Sequence, residues 1–89
     1  MASFEILYHP DISTKDLPRI SGDIQKRIKK AVEIKLTQAP EEFGEPLRRS
    51  LKGYWKLRVG DWRVIYKVEG RAVIILRIGH RREVYDQSR

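Results

Sequence analysis

The sequence predicts an α+β domain in which a small antiparallel sheet packs on one face against two N-terminal helices. Three observations support this class. Apolar residues recur with a helical period in the first half, they alternate with a period of two from Tyr54 onward, and the helical half comes first. The 89 residues suffice for one small domain, so we predict that residues 1–89 form a single unit.

The first predicted element is a strand over Ser3–Tyr8, where aromatic and β-branched side chains alternate. Pro10 ends this strand because it lacks a backbone N–H. Asp11 caps a short predicted helix that runs to about Leu17. We expect the N-terminal strand to join the C-terminal strands in one antiparallel sheet.

The second predicted helix begins after Ser21, a favourable N-cap residue, and Asp23 in its first turn opposes the helix dipole. Its apolar residues recur at intervals of three and four, which predicts a single buried stripe. Basic residues cover the opposite side, which we interpret as a solvated surface. The stripe consists of Ile24, Ile28, Ala31, Val32 and Leu36.

Three strands are predicted next, over Tyr54–Val59, Trp62–Val68 and Ala72–Ile78, with Gly60-Asp61 as a two-residue hairpin turn. This turn fixes the register of the first hairpin, and one face of the hairpin is then apolar. On the other face, the register pairs Arg58 with Arg63, Lys56 with Ile65 and Tyr54 with Lys67.

The last predicted strand is apolar on both faces, which is typical of a central strand. The length of the loop before it decides which of its residues share the cationic face. A loop of two or four residues places Ile74 and Leu76 there, and a regular three-residue loop places Val73 and Ile75 there instead.

Charge indicates the kind of partner. The chain has 19 Lys and Arg, 12 Asp and Glu and a formal charge of +7, and the whole excess lies in residues 45–89. Such an excess on half of a small domain indicates a polyanion, most simply nucleic acid. A solubilising surface, or a patch covered by an acidic partner protein, remains the alternative.

Composition also excludes several chemistries. The chain has no Cys and two His, which excludes a thiolate nucleophile and disfavours a zinc site, and we predict no metal and no cofactor. No segment approaches the roughly 20 apolar residues of a membrane span, so we expect no membrane association and a cytoplasmic location.

A phosphate site is predicted where the last strand ends, because Gly79 is followed by His80, Arg81 and Arg82 beside the cationic hairpin. Arginine forks match phosphate oxygens, and His or Tyr can transfer protons. These groups suffice to cleave RNA, whose 2′-hydroxyl is an internal nucleophile.

Two C-terminal motifs, KGYWKLRVGDWRVIYKV and VIILRIGHRREVY, together with the lead-in from HPDIS to FGEPLRRS, resemble the RelE/ParE superfamily of toxins. The resemblance implies a compact fold with a small antiparallel sheet and an antitoxin that wraps the toxin. In the RelE branch it further implies cleavage of mRNA in the ribosomal A site, without metal and through 2′-hydroxyl attack.

The resemblance also implies site residues. Family catalytic positions fall on Lys56, Arg63, Arg81 and Tyr85, and His80 stands where other members carry Lys, so that it binds phosphate or transfers protons. The phosphate-contacting position of the family falls on either Arg81 or Arg82. The further RNA-binding residues are Arg58, Lys52, Tyr54, Lys67 and Arg82, with Tyr54 standing where some relatives have a second Lys.

Two alternatives belong to other functional classes. A ParE-like toxin binds DNA gyrase and is not a nuclease, and an inactive relative only binds an antitoxin. The ParE branch often lacks the Arg and Tyr residues that this chain has, which favours the RelE-like interpretation.

Overall fold

The computed structural model describes residues 3–47 and 53–85, which form one five-stranded sheet with helices on one face. The strand order is β1-β5-β4-β3-β2. The strands are β1 (Glu5–Tyr8), β2 (Glu45–Pro46), β3 (Tyr54–Val59), β4 (Trp62–Glu69) and β5 (Ala72–His80). The helices are α1 (Gly22–Ala31), α2 (Pro40–Phe43) and α3 (Arg81–Tyr85). Wider π-type turns lie at Ile12–Asp16 and Val32–Leu36, and a 3-10 turn lies at Leu17–Arg19.

Helices α1 and α2 pack on one face of the sheet, as predicted for the N-terminal helices, and we call this side the helix face. The Ser21 side chain accepts the N–H of Ile24 and caps α1, as the sequence predicts. The predicted apolar stripe faces inward, with three of its members buried and two partly buried. The buried core consists of Ile12, Ile20, Ile28, Val32 and Leu36 from the helical half, and Leu57, Val64, Tyr66, Val73, Ile75 and Ile78 from the strands.

The register of the β3–β4 hairpin is the predicted one. Arg58 lies opposite Arg63, Lys56 opposite Ile65 and Tyr54 opposite Lys67. Gly60 has a φ of 61°, the left-handed conformation that a two-residue turn of this kind requires. The turn chemistry therefore determined which side chains share a face.

The prediction that the sheet is entirely antiparallel was wrong for β1, which pairs with β5 in parallel. The chain leaves β1, covers one face of the sheet with helices and returns before β3 begins. Because β5 and β3 both pair antiparallel with β4, they run in the same direction, and β1 shares that direction. The alternation of apolar residues in β1 indicates which side chains face the core, but it does not indicate whether the strand runs parallel or antiparallel to its neighbour.

The turn between β4 and β5 has two residues, Gly70 and Arg71, because β4 extends to Glu69. This decides between the two alternatives for β5. Ile74 lies opposite Lys67 and away from the core, whereas Val73 and Ile75 are fully buried. A bulge between Ile65 and Tyr66 leaves Leu76 without an opposite residue in β4.

A buried contact joins the sheet to α2. The Tyr66 hydroxyl donates to the Pro40 carbonyl at 2.5 Å. Gly44 lies so close that a Cβ built on it would be 1.8 Å from the Tyr66 hydroxyl oxygen. Among the described helices, none is long and apolar enough to cross a membrane.

Candidate nucleic-acid interface

The sheet face that the helices leave uncovered, here called the open face, carries the cations of the β3–β4 hairpin. Since alternate residues of a strand point to opposite sides, the burial of Leu57 and Val64 places their neighbours on this face. The open-face residues of the hairpin are Tyr54, Lys56, Arg58, Arg63, Ile65 and Lys67.

Arg58, Arg63 and Arg81 lie near one another beside the Gly60–Asp61 turn, and we call them the arginine cluster. Burial lowers the pKa of Arg63, and the nearby charges of Arg58 and Arg81 lower it further. Like charges so close together are unfavourable unless an anion neutralises them. The cluster therefore has the composition expected of a phosphate site.

The backbone of the turn orients Arg63. Its Nη1 donates to the carbonyl of Gly60 at 2.8 Å and to the carbonyl of Trp62 at 2.9 Å. These two bonds fix one edge of the guanidinium group on rigid backbone. A side chain held in this way loses little entropy when it binds a ligand.

Two carboxylates accompany the cluster. Asp61 Oδ1 lies 3.9 Å from Arg81 Nε, and Glu45 Oε2 lies 3.8 Å from Arg58 Nε. Both carboxylates raise the pKa of Arg63, opposing the effect of the arginines. At such distances and with exposed partners these pairs are weak, so a phosphate can compete for the same guanidinium groups.

Backbone contacts bring Arg81 to the cluster. Its N–H donates to the Asp61 carbonyl at 2.8 Å, which ties the start of α3 to the hairpin turn. Lys56 lies one row further along the open face, opposite Ile65 of β4 and Glu45 of β2, and it is half-buried. The structure thus groups three predicted residues, Lys56, Arg63 and Arg81, at one end of the sheet.

Tyr54 and Lys67 lie at the other end of the hairpin. Lys67 Nζ is 5.5 Å from the centroid of the Tyr54 ring and 2.7 Å from Glu69 Oε2. The hydrogen bond to Glu69 raises the pKa of Lys67. Lys67 is four positions along β4 from Arg63, a distance of about 13 Å at 3.3 Å per residue. The structure does not bring this pair into the arginine cluster.

The His80 ring points to the helix face. It lies edge-on to the Trp62 ring, with centroids 5.5 Å apart and an interplanar angle of 81°. Its Nδ1 accepts the backbone N–H of Arg82 at 3.3 Å. His80 therefore caps the start of α3, on the opposite side of the sheet from Arg58 and Arg63.

Three predicted site residues remain: Arg82, Tyr85 and Lys52. Arg82 is exposed on α3, and Tyr85 is the last residue of that helix. Lys52 lies outside the described residues. Among residues 3–47 and 53–85, no group of three or more His, Asp or Glu side chains is arranged to hold a metal ion.

Sequence reasoning missed the acidic residues that lie beside the site. Asp61 was assigned only to a turn and Glu45 was given no role, yet both lie beside the arginine cluster. It also missed the contact between Glu83 and Arg19, which are far apart in sequence. No local pattern signals such pairings, because tertiary packing alone brings them together.

A second surface lies on the helix side. A groove of about 550 Å³ runs between the end of β1 and α1, and most of its lining is apolar. Tyr8, Ile12, Leu17 and Ile28 line it, and Lys26 is among its polar residues. The sequence did not predict this groove, since it forms between elements that are not adjacent in the chain.

Comparisons with known proteins identify the family. The family described as ParE toxin of type II toxin-antitoxin system, parDE, matches residues 6–85. Toxin RelE3 of Methanocaldococcus jannaschii is 33% identical over 76 residues, covering 81% of this chain and 85% of RelE3. Toxin RelG of Mycobacterium tuberculosis is 40% identical over 52 residues, covering 56% of this chain and only 60% of RelG.

A solved structure supports the same family assignment. The toxin-antitoxin complex RelBE2 from Mycobacterium tuberculosis contains a chain that superposes with a TM-score of 0.81 at 28% identity, covering 91% of this chain and 94% of that one. The chain belongs to the ParE toxin family, within the RelE/ParE superfamily of type II toxins. The resemblance that the sequence motifs indicated is confirmed.

Proposed function

We propose that this toxin is a ribosome-dependent mRNA endoribonuclease that acts without a metal ion. One observation carries the proposal. Three guanidinium groups, those of Arg58, Arg63 and Arg81, converge on an open sheet face beside Lys56. An open face admits an extended polynucleotide, and converging arginines match the charge that develops on a phosphate during cleavage.

The proposed reaction is an internal transfer. The RNA 2′-oxygen attacks the adjacent phosphorus, the bond from phosphorus to the 5′-oxygen breaks, and a cyclic phosphate and a 5′-hydroxyl result. One proton leaves the 2′-hydroxyl and one reaches the departing 5′-oxygen. Arg63 and Arg81 stabilise the phosphorane charge and Lys56 assists electrostatically.

Tyr85 is our candidate for proton transfer. The sequence left His80 and Tyr85 as alternatives, and the contact of the His80 ring with Trp62 on the helix face argues against His80. Either variant, His80→Ala or Tyr85→Phe, reports on this assignment. We expect Tyr85→Phe to lower the cleavage rate far more than His80→Ala does.

The deciding experiment uses purified toxin, programmed ribosomes and a defined mRNA. We expect cleavage that persists in EDTA once ribosome integrity is controlled. Arg63→Ala should lower the rate by about 10²–10³, the usual loss for one electrostatic contact to a transition state. Arg71→Ala is the matched control, since it removes the same charge from the exposed β4–β5 turn. Equal rates for the two variants would contradict the assignment.

A gyrase inhibitor is the second candidate, because the family that matches residues 6–85 is described as a ParE toxin. Adding gyrase and supercoiled DNA to the same experiment separates the two. Inhibition of supercoiling without RNA cleavage would replace our proposal with this one. Neither activity would indicate a relative that only binds its antitoxin.

The partner of such a toxin is a cognate antitoxin, as in the RelBE2 complex. For this chain we expect an acidic partner, since the open face is cationic. Expression alone should arrest growth, and co-expression with the partner should restore growth and yield a stable complex. High-level expression without any arrest would argue against both the toxic activity and the need for a partner.

A further inference from the structure

The terminal helix α3 is five residues long, and its position depends on other elements. A helix this short is not stable by itself in water, so tertiary contacts must hold it. It begins at Arg81 and ends at Tyr85, two residues of the proposed active site. The docking of α3 therefore decides where both groups lie relative to Arg63.

The first kind of contact, a pair of hydrogen bonds, fixes the start of α3. The Arg81 N–H donates to the Asp61 carbonyl at 2.8 Å, and the Arg82 N–H donates to His80 Nδ1 at 3.3 Å. These bonds set the point at which the chain leaves β5. They do not set the angle of the helix, because both lie in its first turn.

A second contact is steric. Val84 is 2% exposed, and a Cβ built on Gly79 would lie 2.9 Å from Val84 Cγ2. Gly79 thus permits α3 to approach the strand more closely than any other residue would. Packing of this kind keeps α3 close to β5.

A third contact comes from the opposite end of the sequence. Arg19 Nη2 lies 2.6 Å from Glu83 Oε2, and the other oxygen of this carboxylate would lie 3.3 Å from a Cβ built on Gly79. The turn that carries Arg19 is itself anchored, since Asp16 Oδ2 accepts the N–H of Ile78 at 2.8 Å. The Arg19–Glu83 pair therefore joins α3 to an element already fixed to the same strand.

We propose that Arg19 and Glu83 are positioning residues that hold α3 at the angle needed by the active site. This inference rests on the proposed ribonuclease function. Both side chains are substantially exposed, so the pair adds little to global stability. Its effect falls on α3 alone, the element whose position matters for Arg81 and Tyr85.

Two single variants with opposite effects on net charge test the proposal. Arg19→Gln removes a positive charge and Glu83→Gln removes a negative one, yet both break the pair. We expect each to lower kcat by about two- to fivefold, the range for an exposed ion pair, with KM nearly unchanged. The double variant Arg19→Glu/Glu83→Arg should restore kcat.

Lys15→Gln is the matched control, because it removes the same charge as Arg19→Gln and breaks only the exposed contact with Asp11. If simple attraction of RNA explained the effects, Arg19→Gln and Lys15→Gln would match and Glu83→Gln would bind RNA more tightly. Either result would overturn the positioning role.

Amide hydrogen exchange supplies a readout that does not need activity. The Val84 amide should exchange faster in both single variants and at the wild-type rate in Lys15→Gln, while the buried strand residues Val64 and Ile75 stay protected. Unchanged exchange at Val84 in both variants would refute the pair's role. If the wild-type toxin cleaves no RNA, the proposed function fails, and exchange still decides whether the pair holds α3.

Discussion

Gly44 shows how a single residue can be dictated by packing rather than by backbone conformation. Its φ of −101° is open to any residue. A Cβ at this position would nevertheless lie 1.8 Å from the Tyr66 hydroxyl oxygen and 3.2 Å from the Lys56 carbonyl oxygen. Since Tyr66 is fully buried and bonded to Pro40, it has no room to retreat.

We predict that Gly44→Ala lowers the free energy of unfolding by about 2–4 kcal/mol, a large value for one methyl group, because it overpacks a rigid site. Gly22→Ala is the control, since nothing lies within 4 Å of a Cβ there. Urea unfolding of the two variants measures the difference. Equal midpoints would show that the Tyr66 site is able to adjust.

Burial of the Tyr66 hydroxyl should also make the free energy of unfolding depend on pH. Burial raises its pKa above the ordinary value of 10.0, and burial likewise raises the pKa of Tyr8. The phenol of the unfolded chain therefore ionises first, so the stabilising contribution is complete below pH 10.0 and declines above it. The fully buried Tyr66 contributes a slope of up to about 1.4 kcal/mol per pH unit.

The measurement is the free energy of unfolding between pH 9 and 11 for the wild type and Tyr66→Phe. The variant should be less stable at neutral pH by about 1 kcal/mol, because the Pro40 carbonyl loses its donor. Its stability should decline less steeply above pH 10. Parallel curves for the two proteins would contradict this assignment of the slope.

At the scale of elements, the sequence predicted what local chemistry determines. The Gly60–Asp61 turn and the alternation around it give the complete β3–β4 register, and with it the neighbours Arg58 and Arg63. Helix α1 follows from its cap and its apolar stripe. In both cases the signal lies within a few residues of the structure that it specifies.

The elements that the sequence did not predict depend on distant contacts. The direction of β1 follows from the path of the helical crossover, and β2 is a two-residue strand that exists only beside β3. Helix α3 has too few residues for a periodic pattern. The same limit explains why Asp61 and Glu83 were not recognised as partners of the site.

Helix α3 yields a prediction of its own. Gly79→Ala should displace α3, because the new Cβ would lie 2.9 Å from Val84 Cγ2, while Val84 lies outside the main core cluster. We expect slower RNA cleavage and faster exchange of the Val84 amide, with a smaller change in stability than Gly44→Ala produces. Wild-type exchange at Val84 would show that β5 absorbs the extra methyl group.

At the scale of the whole molecule, charge is arranged by face. The arginine cluster lies on the open face, whereas Lys15 and Lys26 lie on helical segments of the other side. A polyanion bound to the open face should displace counterions from its own phosphates. The salt dependence of binding therefore reports how many cations of this face make contact.

We predict that affinity for single-stranded RNA falls linearly with salt on a log–log scale. Arg58→Gln should reduce the slope by about 0.7, the value for one phosphate contact to a single strand. Lys15→Gln, with the same change in net charge, should leave the slope unchanged. Equal slopes in all three proteins would place the RNA elsewhere on the surface.

The parallel pairing of β1 with β5 affects the order in which parts of the chain fold. Glu5 lies opposite Ala72, so β1 gains its neighbour only when two segments that are far apart in sequence meet. Contacts between such distant positions form slowly, because a long loop must close before they contribute. Arg81 follows β5 directly, so the arginine cluster cannot assemble on a nascent chain until the sheet is nearly complete. The open face therefore acquires its complete arginine cluster only late in folding.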